Sequence, residues 1–464
     1  MPPSVARFTP AIAILAIALA IASCSNTVVT PALSTSPPRG SFQAQWLLLS
    51  DVHFTPFDDP SLLPQLIAAP ASDWHAILAT SQRPPSPYFS DSNYALFSSA
   101  LRAMQATLPN PPVVIVAGDA MGHHFSEQFA QLAPSQSQAV YKRFVDKTIA
   151  FLALEFEAVF PHSQFLITLG NNDGYCGNYM STPASPFLAH MASAWEPLVN
   201  RNGRAPRFVR DFSKAGYYQA SLPLGGSMPA IVMNSIFWSS LYENTCGKAG
   251  ADPGTTELNW LSRALAAAPS PALLLTHIPP GIDEFASINN NGATPLYKKT
   301  YTERLLGVLS KRSANVRALV LGHIHHATFE IVPVGSGQVG TLGIPSVSPN
   351  QGNNPAFVVA LFSPSQPAIV DTTTYALPLA TMQGWSELYA FNAAYGLEGY
   401  DASNLLTLQS ALAADPAVRT TFFANYNSGS TTATPDPSKW PWYWCGHTNL
   451  TPKSYSNCVE DTPP

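Results

Sequence analysis

Five short runs of metal-ligating residue types lie along the chain in a fixed order. They are Asp51-Val52-His53; Gly118-Asp119, with His123 and His124 shortly after; Gly170-Asn171-Asn172-Asp173; Thr276-His277, leading into Ile278-Pro279-Pro280-Gly281; and Gly322-His323-Ile324-His325. Carboxylate, amide oxygen and neutral imidazole are the donors that divalent ions of borderline hardness accept. Two such ions about 3.5–4 Å apart can clamp a phosphate and make a nucleophile of water. A carboxylate shared between them offsets their mutual repulsion. The chemistry such a set would do is therefore hydrolysis at phosphorus. On an extended backbone the Asp-x-His and His-x-His spacings put both side chains of a pair on one side. The glycines at 118, 170 and 322 let the chain turn sharply where strand becomes loop. Taken singly each run is common, and a lone histidine at a strand end is more often a structural group. Here five of the eleven histidines (His53, His123, His277, His323 and His325) fall at the key positions.

These side chains need elements to bring them together. Short apolar runs predict strands over 45–50, 113–117, 164–169, 230–237, 272–276 and 318–321, and each of the five ligand runs directly follows one of them. Apolar residues at helical spacing predict helices over 93–108, 137–157, 256–267 and 301–312. From 328 to 375 strands follow one another without helices, at 329–332, 339–344, 357–362 and 368–373. Pro333 lacks a backbone donor and is expected to end the first of these. Alternation followed by a run of strands predicts an α/β (α+β) sandwich, two packed mixed β-sheets flanked by helices. Loops at strand ends are where such architectures carry function. Beyond about residue 378 the pattern turns helical and closes on an aromatic, Cys-bearing segment.

The order of the runs resembles the calcineurin-like metallophosphoesterase superfamily, whose signature is DxH, GDxxxH, GNH[DE], a later His and GHxH. Within it the chain is most similar to the acid sphingomyelinase-like phosphodiesterases and the related endopolyphosphatases. The stretches HIPPG at 277–281, GHIHHATFEIV at 322–332 and IPSVSPNQGNNPAF at 344–357 carry that likeness. The resemblance implies a four-layer phosphoesterase domain over 43–377 and a helical C-terminal region over 378–464. It implies that Asp51, His53, Asp119 and His325 hold a first divalent ion, and that Asp119, Asn171, His277 and His323 hold a second, with Asp119 bridging. Zinc stands first among the candidate ions, with manganese or iron as alternatives. A metal-bridging hydroxide would attack phosphorus in line, with His123 catalytic near the leaving group. Asp173 and Glu330 would either orient ligand imidazoles or be solvated or turn-forming carboxylates, and the loop 283–297 would border the substrate pocket. One departure stands out: the family's GNH histidine is Asn172 here, which has no proton to give at neutral pH. The GNND form is closer to endopolyphosphatases. Gly122 stands where purple acid phosphatases place a metal-binding tyrosine. The implied activity is a sphingomyelinase-like phosphodiesterase acting on a small-molecule or lipid phosphoester. Hydrolysis of polyphosphate or nucleotide phosphoanhydrides is the alternative, and a non-catalytic surface lipoprotein scaffold is the rival of another class.

Composition narrows the partners. The chain has 464 residues, 46% of them hydrophobic and 11% charged, which allows a large buried core. Its 44 prolines favour short elements joined by ordered loops. The net charge is −5 with 23 Lys plus Arg and no basic block, so bulk capture of nucleic acid is not expected. At the N-terminus Arg7 precedes an apolar run over 11–22, too short for a comfortable membrane span. The run ends in Ile21-Ala22-Ser23-Cys24, which resembles a bacterial lipoprotein signal over 1–24 with Cys24 lipidated. An ordinary secretory signal is the alternative, and both export the chain. The expected location is periplasmic or cell-surface, anchored through lipid to a membrane, the outer one where two exist. Residues 25–42 are rich in Ser, Thr and Pro and read as a tether. Cys176, Cys246, Cys445 and Cys458 remain, which in an oxidising compartment suggests two disulfides with three possible pairings. Cys176 with Cys246 and Cys445 with Cys458 is the favoured one.

Overall fold

The computed structural model describes residues 43–244, 246, 252–363, 369–433 and 435–462, so the segment 1–24 with Cys24 and the 25–42 tether lie outside the described residues. Twelve strands form among the described residues: β1 (Ala44–Leu49), β2 (Val113–Val116), β3 (Gln164–Ile167), β4 (Tyr218–Leu222), β5 (Met228–Val232), β6 (Ala272–Leu275), β7 (Val316–Leu321), β8 (Ile331–Val334), β9 (Gly337–Gly343), β10 (Ala356–Phe362), β11 (Ile369–Ala376) and β12 (Ser386–Ala390). They make two six-stranded sheets, in the orders β12-β11-β10-β1-β2-β3 and β4-β5-β6-β7-β9-β8. In the first, β1, β2 and β3 run parallel and β10 joins β1 antiparallel, so that Leu47 pairs with Val114 on one side and Val359 on the other. In the second, β5, β6, β7 and β9 run parallel.

The alternation of side chains along a strand explains the layers. In β6 and β7, Leu273, Leu275, Ala318 and Val320 point into the same core cluster as Leu47 and Leu49 of β1. Their neighbours Leu274, Leu319 and Leu321 point the other way. There they meet Leu261 and Leu265 of helix Pro253–Ala267 and Leu305 and Leu309 of helix Lys299–Lys311. Strands buried on both faces are apolar almost throughout, as these are. Against the first sheet, helices Tyr94–Thr107 and Gln138–Val159 contribute Phe97, Phe144 and Phe156 to the core, Phe156 packing on Phe165 of β3 at 5.6 Å. The result is helix, sheet, sheet, helix.

Caps set the helix starts. Asn93 accepts from the Leu96 amide and Ser137 from the Val140 amide. Asp252 with Pro253 behind it starts the third predicted helix earlier than the 256 read from periodicity. The strand expected over 230–237 stops at Val232, because Asn234 turns its side chain onto the Ile236 amide and begins a 3₁₀ turn. Pro333 does not end its strand: it lies within β8, exposed and opposite Gln338, at the edge of the sheet where a missing donor costs nothing. Beyond 378 the first element is not helical but β12, which pairs with β11.

Helices Ala402–Ala414, Pro416–Tyr426, Trp440–Gly446 and Pro452–Asp461 then pack back onto the second sheet. The Ile331 amide donates to the His447 carbonyl at 2.7 Å, Tyr400 donates to the Thr341 carbonyl, and the His447 ring stacks on Phe329. Both favoured disulfides form. Cys445–Cys458 joins the last two helices, and Cys176–Cys246 joins a loop after β3 of one sheet to a loop after β5 of the other. Those two strands lie in different sheets. No helix among the described residues is long and apolar enough to cross a membrane.

Candidate metal centre

All five ligand runs lie at the C-terminal ends of parallel strands, after β1, β2 and β3 in one sheet and after β6 and β7 in the other. Backbone bonds stitch these ends together. The Asp51 amide donates to the Gly118 carbonyl, His53 to Asp119, Gly322 to His277, and Val347 to Ser50. The loops approach closely enough that a Cβ on Gly118 would meet His277 Nδ1 at 2.6 Å, and one on Gly170 would overlap Asp119. Gly118 also has φ of 93°, whereas Gly170 serves close approach rather than a left-handed turn. Asp51, His53, Asp119, His323 and His325 have φ of 50°, 43°, 50°, 74° and 66°. The side chains therefore converge through tight left-handed turns, not through the extended backbone that the spacing suggested. Each such residue costs about 1–3 kcal/mol, a strain characteristic of functional sites.

Three triads of ligand atoms form among the described residues: Asp51, His53 and His325; Asp51, Asp119 and His277; and, at the pocket side, His53, Asp91 and His123. His53 presents Nδ1 to the Met121 carbonyl at 3.1 Å, and His277 presents Nδ1 to the Ala117 carbonyl at 2.7 Å. Each ring thus donates through Nδ1 and turns the Nε2 lone pair inward. There His53 Nε2 lies 3.1 Å from His325 Nε2, and His277 Nε2 lies 3.0 Å from Asn171 Oδ1. Asp119 Oδ2 stands 3.4 Å from both His53 Nε2 and His277 Nε2. Asp51 spends Oδ2 on the Ser50 hydroxyl and the His323 amide, leaving Oδ1 buried without a hydrogen bond, 3.4 Å from His325 Nε2. Asn171 donates its amide nitrogen to Asn178, which aims its oxygen at His277.

With these tautomers acceptors face acceptors unless a proton or a metal ion stands between them. The 3.1 Å between two imidazole nitrogens suits two donors each about 2.0–2.1 Å from one ion. The titration of these groups in the metal-free chain points the same way. Burial alone would push His53 and His277 down, but Asp119 beside each carries both up to about 9. Burial would raise Asp51 and Asp119, yet His325 and His277 respectively hold them below the carboxylate range. Burial, reinforced by His277, takes His323 down to about 4, and burial also holds His325 well below its ordinary value. Two rings hold protons only because carboxylates need positive charge between them; a divalent ion would supply that charge and release the protons. The residues present fit a pair of divalent ions.

Of the predicted site residues, Asp51, His53, Asp119, Asn171, His277 and His325 converge on this centre. His323 flanks it, its ring 5.1 Å from that of His277 and its Nε2 3.4 Å from the Tyr179 hydroxyl, outside all three triads. The His123 ring stacks on His53 at 4.0 Å. Asn172 donates its backbone and side-chain nitrogens to the two Asp119 oxygens, both at 2.8 Å, so it orients that carboxylate. Asp173 does not orient an imidazole. It accepts from the amides of Ala120, Met121 and Gly170 and so ties the β2 and β3 loops together. Glu330 lies away from the ligands, against Gly281 and near Glu284.

A pocket of about 500 Å³ opens over the centre, lined by Asp119, His123, Asn171 and His325. Its wall includes Asp283, Glu284, Phe285, Ile288 and Asn289, from the loop expected to border it. Sequence reading did not find Tyr179, Tyr426, Asp436, Lys439 and Tyr443, which line it from elements far apart in the chain. Nor did it find Asp91, whose Oδ1 takes the His123 ring at 2.8 Å; its one signal is position just before helix Tyr94–Thr107.

The chain is similar to several known proteins. Sphingomyelinase phosphodiesterase D of Dictyostelium discoideum is 24% identical over 362 residues, spanning 74% of this chain and 75% of that protein. The solved structure of GAP50, the anchor in the inner membrane complex of Plasmodium, aligns over 75% of this chain and 87% of its own at 11% identity, with a TM-score of 0.34. A putative 5′-nucleotidase from Staphylococcus aureus aligns over 75% of this chain and 53% of its own at 12% identity, with a TM-score of 0.33. The calcineurin-like phosphoesterase profile matches residues 47–327, a span that holds all five ligand runs, and by that match the chain belongs to the calcineurin-like phosphoesterase family of metal-dependent phosphoester hydrolases.

Proposed function

We propose that this chain is an exported binuclear phosphodiesterase of sphingomyelinase-like specificity. The observation that carries the reading is Asp119 Oδ2, equidistant at 3.4 Å from His53 Nε2 and His277 Nε2. One carboxylate oxygen between two imidazole donors is the bridging position of a two-ion site. In this reading Asp51, His53, Asp119 and His325 hold one ion, and Asp119, Asn171, His277 and His323 the other. Zinc suits the mixed nitrogen and oxygen donors, with manganese and iron as alternatives. When bound, the ions supply Lewis acidity to a phosphoryl oxygen and acidify water.

The chain's own residues do the rest. Asn172 fixes the Asp119 carboxylate by donating to both of its oxygens, Asp173 ties the two loops together, and in this reading His123, which lines the pocket, serves the leaving group. The pocket wall favours a diester over polyphosphate: Lys439 is the one lysine or arginine among its described lining residues and the Asp436 carboxylate opposes it, which leaves little fixed positive charge for a polyanion. The two disulfides support export to an oxidising compartment. Lipid anchoring at Cys24, in the outer membrane where one exists, completes the reading. Purified protein assayed on bis-p-nitrophenyl phosphate, with and without zinc or manganese, tests it. Metal-dependent turnover is expected. A panel of choline phosphodiesters, nucleotides and polyphosphate then ranks the substrates, and preference for polyphosphate would overturn the diester assignment. No turnover with any metal in folded protein would favour a binding scaffold instead.

A further inference from the structure

His123 is gripped more firmly than a surface imidazole needs. The side chain of Asp91 is 9% exposed and divides its oxygens: Oδ2 accepts from the His123 amide at 2.7 Å, and Oδ1 accepts from the His123 ring Nδ1 at 2.8 Å. Asn350 donates to the same Oδ1 at 3.1 Å. One carboxylate thus fixes both the backbone of His123 and the rotation of its ring. The loop carrying Asp91 is itself pinned to the end of β1, since the Ser92 amide donates to the His53 carbonyl and the Thr55 amide to the Ser92 carbonyl. Gly122 makes room, because a Cβ there would meet Asp91 Oδ2 at 2.9 Å. The position at which a neighbouring family carries a tyrosine is thus the one that admits this carboxylate. With Nδ1 engaged and the ring face on His53, Nε2 is the nitrogen left for the pocket that His123 lines.

We infer that Asp91 is the positioning residue that aims His123 Nε2 at the leaving oxygen of the substrate. The inference rests on the phosphoester hydrolase reading. It also accounts for Asn172: that amide is spent on Asp119, so the leaving group takes its proton from His123. In the balanced step, water oxygen bonds to phosphorus and the bond from phosphorus to the leaving oxygen breaks. The electron pair stays on that oxygen, the Nε2 proton of the imidazolium neutralises it, and the proton shed by water converts the resulting imidazole back to imidazolium. A leaving group that departs readily as an anion needs this help least.

The test compares bis-p-nitrophenyl phosphate with diphenyl phosphate, whose phenoxide departs far less readily. For Asp91→Asn, kcat on diphenyl phosphate is expected to fall about 100-fold, at least about tenfold more than on the nitrophenyl diester, with KM held on both. The double variant Asp91→Asn/His123→Ala should lose no more than His123→Ala alone, since residues acting as one unit are non-additive. Metal content and thermal midpoint serve as controls. Equal losses on the two substrates, or losses that multiply in the double variant, would overturn the inference. Should Asp91→Asn not fold, Asn350→Ala strips Oδ1 of its other donor and leaves the backbone bond intact. The same selective loss is expected there, and an unselective loss or none overturns the inference. Wild-type protein inert on both diesters would remove the hydrolase reading and this inference with it, whereas an active wild type with an unselective Asp91→Asn removes this inference alone.

Discussion

Asp119 touches both halves of the centre, so it is the residue whose loss should matter most. Asp119→Asn keeps the shape but has one oxygen for the two Asn172 donors, and it removes the shared charge. Activity on bis-p-nitrophenyl phosphate is expected to fall at least about 10³-fold, with an unchanged far-ultraviolet circular dichroism spectrum. Activity that survives would place the bridging carboxylate elsewhere. Asp173 answers to a different measurement. Its carboxyl accepts from three buried amides, and Asp173→Ala would leave all three unpaired. The expected cost is about 3 kcal/mol or more in urea unfolding, alongside lost activity. A loss of activity without loss of stability would contradict the loop-tying role.

At the scale of elements, strands and ligand runs were legible because short apolar runs ending in a ligand motif leave few alternatives. Ala272–Leu275 followed by Thr276-His277 reads the same in sequence and in structure. The left-handed turns at Asp51, His53, His323 and His325 were not legible, since the modest preference of aspartate and histidine for that conformation does not single out these positions; tertiary bonds impose them. The pocket wall was hidden for another reason: Tyr179, Tyr426 and Tyr443 meet only because the C-terminal helices fold back on the second sheet. That packing carries its own pH dependence. The ring of His447 is buried, paired with Gln409 and stacked on Phe329, and burial lowers it to about 3. The unfolded chain takes its proton near pH about 6.5, so the folded state holds its full advantage above that pH. Stability then drains as pH falls from about 6.5 toward about 3. In denaturant titrations across this window His447→Gln should show a shallower loss than wild type, and equal slopes would refute the assignment.

For the whole molecule, the two sheets carry separate halves of one centre, so its integrity depends on how they are held together. The disulfide Cys176–Cys246 links loops from the two sheets, and Cys445–Cys458 closes the C-terminal helices over a separation of 13 residues. Replacing both cysteines of the latter with serine should cost about 3 kcal/mol, seen as a lower thermal midpoint under non-reducing conditions. A midpoint equal to wild type would show that apolar packing alone seats those helices. The claim on which everything else depends is that inward-facing lone pairs and carboxylates hold two cations. Elemental analysis of protein reconstituted with zinc and freed of excess metal tests it most directly. Two equivalents per chain in wild type and a lower content in Asp119→Asn are predicted; wild-type protein that is folded yet holds one ion or none would contradict the account.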